Sequence, residues 1–193
     1  MNLTIWWVRH GPTHRKEMVG WTDLPADLSD KAALARLDAY LPDAPVISSD
    51  LTRAVATADA IQGARPRLAH APGLREIHFG AWELLTADAL EARDPEKARA
   101  YWTDPTHVRP PGGESFADLA TRVNAAVDTL ARHAGPDGNL IAVAHFGVIL
   151  SQLHRARQGT MTDLLAQHVD NLSVTALRRD ADGWHETLAN HRP

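Results

Sequence analysis

The run from Leu140 to Leu150, Leu-Ile-Ala-Val-Ala-His-Phe-Gly-Val-Ile-Leu, constrains this chain more than any other segment. It is apolar throughout except for His145, and it is too short to cross a bilayer. Its first five residues, Leu140 to Ala144, read as a buried strand, and Phe146 to His154 reads as a helix. Gly135-Pro136-Asp137-Gly138 breaks the chain just before the strand. A lone histidine is therefore set where a buried strand meets a helix start, a place where free backbone N–H groups face an anion. The alternative reading of His145 is a satisfied core histidine.

The same alternation runs along the rest of the chain. Leu3 to Val8 reads as a buried strand, and Pro45 to Ser48 as a short second one. Leu34, Leu37 and Leu41 have helical spacing, with Ser29 as the expected cap. Leu51, Val55, Ala58 and Ile61 mark another helical face, with Asp50 as its expected cap. Ser115 opens the clearest helix, a capping-box pattern followed by Leu119, Val123, Ala126, Val127 and Leu130 on one stripe. Leu172 to Leu177 and Trp184 to Leu188 read as closing strands. No repeat or linker divides residues 1–193, so one α/β domain with a mostly parallel sheet is expected. Such sheets bind ligands at the carboxyl ends of their strands. Arg9 and His10, Ser48 and Ser49, and His145 all fall at such ends.

Composition narrows the chemistry. With no cysteine among 193 residues, disulfides, thiolate nucleophiles and cysteine-held zinc are excluded. The net charge of −4 favours neither nucleic acid nor an anionic membrane. The start, MNLTIWWVRHG, has no basic region followed by a small-residue cleavage site, and a cytoplasmic protein is expected. Oligomeric state is open.

Each candidate site segment has an ordinary alternative. Val8-Arg9-His10-Gly11-Pro12-Thr13 delivers two basic side chains into a turn, where Gly11 permits close backbone approach; it also fits a plain strand-end turn. Arg53 sits in the first turn of a helix, at a cost of up to ~1 kcal/mol against the helix dipole. That cost suggests a further role, the alternative being a solvated partner of Asp50. In Leu74-Arg75-Glu76-Ile77-His78-Phe79-Gly80, an extended backbone would align Leu74, Glu76, His78 and Gly80 on one face. Glu76 is then a candidate proton donor, or a surface residue on an edge strand.

Taken together these segments resemble the histidine phosphatase superfamily, the cofactor-dependent phosphoglycerate mutase-like group. The resemblance rests on Arg9-His10-Gly11, Gly20-Trp21-Thr22-Asp23-Leu24-Pro25, Ser49-Asp50-Leu51-Thr52-Arg53-Ala54, Leu74-Arg75-Glu76 with Phe79-Gly80-Ala81-Trp82-Glu83, Gly112-Gly113-Glu114-Ser115 and Ala144-His145-Phe146-Gly147. It implies a three-layer αβα sandwich and His10 as the nucleophile. Arg9, Arg53 and His145 match the phosphate pocket, and Glu76 the general acid. Gly11, Thr13, Thr22 and Phe146 are the adjoining positions expected to touch substrate. Several residues depart from the family pattern: Pro12 stands where many members carry Glu, His14-Arg15-Lys16 where Asn is often found, Phe146 after the second histidine in place of Gly, and Leu84 in place of a Gly after Trp-Glu.

The residue types suit phosphoryl transfer without a metal or other cofactor. The transferring group spreads charge over three oxygens, which arginine forks and His145 as an imidazolium could meet. His10 must instead be neutral to offer a lone pair, with its other nitrogen held by a backbone carbonyl such as that of Gly11. Nearby arginines would disfavour its protonation. Glu76 needs a raised pKa to protonate the leaving oxygen, and would then activate water. The expected activity is hydrolysis of a small phosphomonoester through phosphohistidine.

Three alternatives remain at this level. A mutase would need longer insertions than this chain has. A non-catalytic phosphate binder would not need all five side chains. A metal hydrolase using His10, His14, His145 and Glu76 would set Arg9 and Arg53 against a divalent cation. Residues 84–112 are expected to cover the substrate, with Arg93, Arg99, Tyr101, Trp102, His107 and Arg109, along with His14-Arg15-Lys16, as candidates to read the leaving group.

Overall fold

A computed structural model describes residues 3–159, 164 and 166–193. Among these, five strands form one sheet: β1 (Leu3–Arg9), β2 (Val46–Ser48), β3 (Asn139–Ala144), β4 (Val174–Asp180) and β5 (Gly183–His191), in the order β2-β3-β1-β4-β5. β1 and β2 both pair in parallel with β3. β4 is antiparallel to β1 and to β5. Four of the five strands therefore share one direction, and β4 alone is reversed.

The long apolar run is explained by burial on both faces. Along β3, Ile141 and Val143 meet Val8, Leu34, Leu37 and Ala58 on one side. Leu140, Ala142 and Ala144 meet Ile5, Trp7, Leu119, Val123 and Ile149 on the other. Strand residues alternate between faces, so a strand covered twice must be apolar at every position. Helices α1 (Lys31–Tyr40) and α2 (Thr52–Ile61) form the first layer, and α5 (Phe116–Leu130) and α6 (Phe146–Arg157) the third. Each fully buried Leu or Ile side chain stabilises this sandwich by about 1.5–3 kcal/mol.

Helix starts follow the sequence in part. Ser115 Oγ accepts from the Asp118 N–H and Asp118 accepts from the Ser115 N–H, completing the expected capping box of α5. The other two caps differ from expectation. Asp30, not Ser29, caps α1 through the Ala33 N–H at 2.9 Å. Asp50 does not cap α2, because Arg75 occupies both of its oxygens at 2.8 and 2.6 Å. Asp23 reaches across instead and takes the Thr52 N–H at 2.7 Å. β4 starts at Val174, since Leu172 has a positive φ of 60° and its N–H turns back to the Arg9 carbonyl. The segment around Glu76 is not assigned to a strand: it runs from a 3₁₀ turn at Pro72–Leu74 to another at Gly80–Trp82.

Between that segment and α5 lie α3 (Ala87–Arg93) and α4 (Pro95–Thr103). They pack on a small core of their own, Trp82, Leu90, Ala98 and Tyr101. Thr86 caps α3, and Asp94 caps α4 with Pro95 at its first position. Among the described residues, no helix is long and apolar enough to cross a membrane.

Candidate active site

Parallel pairing of β1 with β3 sets Arg9 beside Ala144, so the residues that follow, His10 and His145, leave the sheet at the same edge. Their rings lie 5.0 Å apart, inclined at 60°. The His10 N–H is tied to the Ala144 carbonyl at 3.1 Å, and its own carbonyl accepts from Asn171 Nδ2 at 2.7 Å.

The tautomer of His10 follows from its neighbours. Nδ1 lies 2.7 Å from the Gly11 carbonyl oxygen, which can only accept, so Nδ1 carries the proton. The lone pair is left on Nε2, where Arg53 Nε donates to it at 3.2 Å. Burial, Arg53 and Arg9 lower the His10 pKa to about 3, against the opposing pull of the Gly11 carbonyl. The imidazole is therefore neutral at any ordinary pH. His145 is fully buried, and among the described residues neither ring nitrogen has a partner. Burial, then His10, Arg53 and Arg9, hold it well below the usual histidine range. Its expected imidazolium form thus requires an anion to arrive.

Among the described residues the two arginines have no carboxylate partner. Arg53 is buried, with Nη1 donating to the Thr22 carbonyl at 3.0 Å and Nη2 to the Gly20 carbonyl at 2.7 Å. Asp50 is elsewhere, so the ion pair with Arg53 is not formed. Arg9 Nη1 donates to the Val169 carbonyl at 2.6 Å, and its guanidinium lies 5.4 Å from the centre of the Phe146 ring. Carbonyls orient a guanidinium but leave its charge uncompensated, which suits it to an incoming anion.

Glu76 is buried, and its carboxyl accepts from the N–H groups of Ile77 at 2.9 Å and Gly147 at 3.0 Å. Burial raises its pKa, and these hydrogen bonds and Arg53 only partly oppose that. A carboxyl whose pKa is raised in this way is shifted toward the form a proton donor needs. A side chain on Gly147 would begin 2.5 Å from Glu76 Oε1, so the close N–H contact depends on glycine.

Behind this set stands Glu83. Its carboxylate accepts from the N–H groups of Gly20 (3.0 Å), Trp21 (2.8 Å), Thr22 (3.2 Å) and Phe79 (3.1 Å), and from the Thr22 hydroxyl (2.7 Å). Burial disfavours its charge, yet these donors prevail and hold its pKa below the usual range. Glu83 thereby fixes the turn whose carbonyls grip Arg53. Trp21 Nε1 and Arg122 Nη2 both donate to the Glu76 carbonyl, at 2.8 and 3.1 Å.

Two hollows meet at Glu76. One, of about 120 Å³, is lined by Arg9, His10, Thr13, Arg15, Arg53 and Glu76, among others. The other, of about 210 Å³, is walled by Phe79, Tyr101, Trp102, Phe116 and Phe146 together with aliphatic neighbours. Of the expected substrate positions, Thr13 lines the first and Phe146 the second. Gly11 and Thr22 line neither: Gly11 binds the His10 ring, and Thr22 serves Arg53. The space beside Gly11 is filled by Leu28 and the Asp27 carbonyl. His14 is not gathered with the other histidines; it pairs with Asp27 at 2.7 Å and is exposed. Of the residues expected to read the leaving group, Tyr101, Trp102 and Arg15 reach the hollows. Arg93 bonds the Ala81 carbonyl, His107 pairs with Asp104 and Arg109 with Asp118.

Residues 5–192 match the family model of the histidine phosphatase superfamily, branch 1. The chain belongs to that superfamily. It is 33% identical over 191 residues to "Bifunctional protein Rv2228c" of Mycobacterium tuberculosis, covering 91% of this chain and 50% of that protein. The chain thus spans about half the length of the first curated relatives it matches. It is 34% identical over 156 residues to "Glucosyl-3-phosphoglycerate phosphatase" of Mycolicibacterium vanbaalenii, covering 74% of this chain and 68% of that one. The solved structure of "Bacillus stearothermophilus YhfR" superposes with a TM-score of 0.85 at 27% identity, covering 97% of this chain and 96% of that one.

Several supporting residues of this histidine phosphatase fold escape a reading of the sequence. Glu83 is visible only as part of a Trp-Glu pair. Arg122 holds the carbonyls of Gly73, Arg75 and Glu76 and pairs with Glu114 at 2.7 Å, but in sequence it is one polar residue on an exposed stripe of α5. Thr57, which accepts from the Gly11 N–H at 3.0 Å, carries a weak signal, lying one helical turn after Arg53.

Proposed function

We propose that the chain hydrolyses small phosphate monoesters through a phosphohistidine at His10, without a metal. The phosphoryl group enters the smaller hollow, where Arg9 and Arg53 face its equatorial oxygens, and His145, its ring 5.0 Å from that of His10, takes up the proton of the monoanionic ester to become an imidazolium. Nε2 of neutral His10 attacks phosphorus and the ester P–O bond breaks. Glu76 gives its proton to the departing oxygen, releasing an alcohol. Water then attacks phospho-His10 while Glu76 takes one of its protons; the P–N bond breaks, leaving inorganic phosphate and His10. Arg53, freed from Nε2, transfers its N–H to the phosphoryl oxygens. Thr13 contacts the phosphate, Phe146 supports Arg9, and the 84–112 segment covers the leaving group.

One observation carries this reading above the others: the lone pair of the His10 imidazole and a buried carboxyl whose pKa burial raises open on the same small hollow as two arginines that have no carboxylate partner among the described residues. The names of relatives that act as phosphatases agree with it. Purified protein is expected to turn over p-nitrophenyl phosphate with no loss in EDTA. His10→Ala should lower turnover on the order of 10⁴-fold or more while leaving circular dichroism unchanged. Full activity in His10→Ala would sink the proposal, and loss in EDTA restored by zinc would replace it with metal hydrolysis.

A further inference from the structure

We infer that the larger hollow beside Glu76 is a subsite for an aromatic leaving group, so that the preferred substrates are phosphate monoesters of alcohols bearing one or two rings. This rests on the phosphatase reading and names its substrate class.

Position comes first. The two hollows share Glu76, the group assigned to protonate the leaving oxygen. That oxygen must sit within hydrogen-bond reach of the carboxyl, so a group bonded to it has the second hollow, walled by the same residue, as its neighbour. Arg9 and Phe146 continue the contact, since the guanidinium of one lies over the ring of the other.

Composition comes next. Phe79, Tyr101, Trp102, Phe116 and Phe146 surround the space, and among the described residues Glu76 is its single carboxylate and no arginine, lysine or histidine lines it. Among the described lining residues, only Glu76, Tyr101 and Trp102 carry a side-chain nitrogen or oxygen. A sugar or glycerol chain entering it would leave hydroxyls without partners, each costing roughly tenfold in binding. Aromatic rings instead meet ring edges and faces in the arrangement they favour.

Size sets the limit. An apolar cavity of roughly 150 Å³ accepts benzene. At about 210 Å³ this one has room for one ring and part of a second. Trp102 stands at the rim, 56% exposed, an unusual place for so large an apolar side chain in the absence of an occupant.

The test compares esters of alcohols of similar acidity, so that leaving-group chemistry does not decide the result. For benzyl phosphate, kcat/KM is expected to exceed that for ethyl phosphate and glycerol 3-phosphate by about tenfold or more. In Trp102→Ala, the benzyl-to-ethyl ratio should fall several-fold; the exposed position makes misfolding a poor explanation of any change. In parallel, calorimetry on the wild-type protein should find benzylphosphonate binding at least about tenfold tighter than methylphosphonate. Turnover of all three esters at similar rates, preference for glycerol 3-phosphate, or a ratio unmoved in Trp102→Ala would overturn the subsite and leave the phosphatase reading intact. Discrimination between the phosphonates with no ester turned over would keep the subsite and remove the hydrolase. Equal phosphonate binding with no turnover would remove both.

Discussion

The two hollows that meet at Glu76 are built on opposite terms. The smaller one takes Arg9 and His10 from the end of β1, Arg53 from the start of α2 and Glu76 from a loop, and the backbone orients each of these groups. His10 leans on Gly11, Arg53 on Gly20 and Thr22, and those carbonyls in turn on Glu83. The larger one takes Tyr101 and Trp102 from α4, which rests on a separate small core and carries an exposed tryptophan, and sets them against the apolar side chains of α5 and α6. Charge stabilisation acts over fixed distances and loses its value if the groups must reorganise, so it requires a rigid frame. Apolar contact is non-directional and tolerates movement, so it can be left to a peripheral segment. A single scaffold can therefore keep one chemistry while the partner group varies.

Three changes would break or sharpen this contrast. The largest effect is expected from Glu76→Gln, which keeps shape but cannot give a proton. It should slow alkyl phosphates by about 10²–10⁴-fold. With p-nitrophenyl phosphate, whose leaving group needs little protonation, the loss should be much smaller; equal losses on both would deny Glu76 the acid role. Next comes Glu83→Gln, in which an amide N–H₂ replaces one acceptor among five donors. As a positioning residue for Arg53 it should lower kcat/KM by about 10- to 100-fold and weaken inhibition by inorganic phosphate in parallel. A change in thermal stability without any change in phosphate inhibition would make Glu83 structural only.

The smallest effect concerns pH. His10 has its pKa lowered from 6.5 to about 3, so the folded protein keeps it neutral while the unfolded chain protonates it below 6.5. Its burial is without penalty above pH 6.5, and stability is lost as pH falls from there toward 3. In kcat/KM between pH 7 and 5, corrected for ionisation of the substrate, less than a twofold change should trace to His10. A clear loss with a midpoint near 6.5 would show the nucleophile titrating as an exposed histidine does.

What the sequence made legible divides along the same line. Short-range consequences could be read: the twice-buried β3, the capping box at Ser115, and Arg53 standing against a helix dipole for a reason other than local stability. His10 and His145 could be placed at strand ends because a parallel sheet aligns those ends. What could not be read depends on distance in space. Asp50 looks like a cap until Arg75 arrives from 25 residues away, and Asp23 does the capping from 29 residues before Thr52. The work of Glu83 is done on backbone about 60 residues earlier, where no periodicity announces it. The segment around Glu76 has alternating residues yet is not a strand, because its backbone is held by Trp21 and Arg122 and not by a neighbouring ladder.

The hydrogen at Cα of residue 147 has a consequence beyond its own turn. The volume that a methyl group would fill there is already occupied by the carboxyl oxygen of another residue, 71 positions earlier in the chain. Adding one carbon at that point would displace that carboxyl from its N–H partner, so the smallest possible substitution would act on a group it does not belong to.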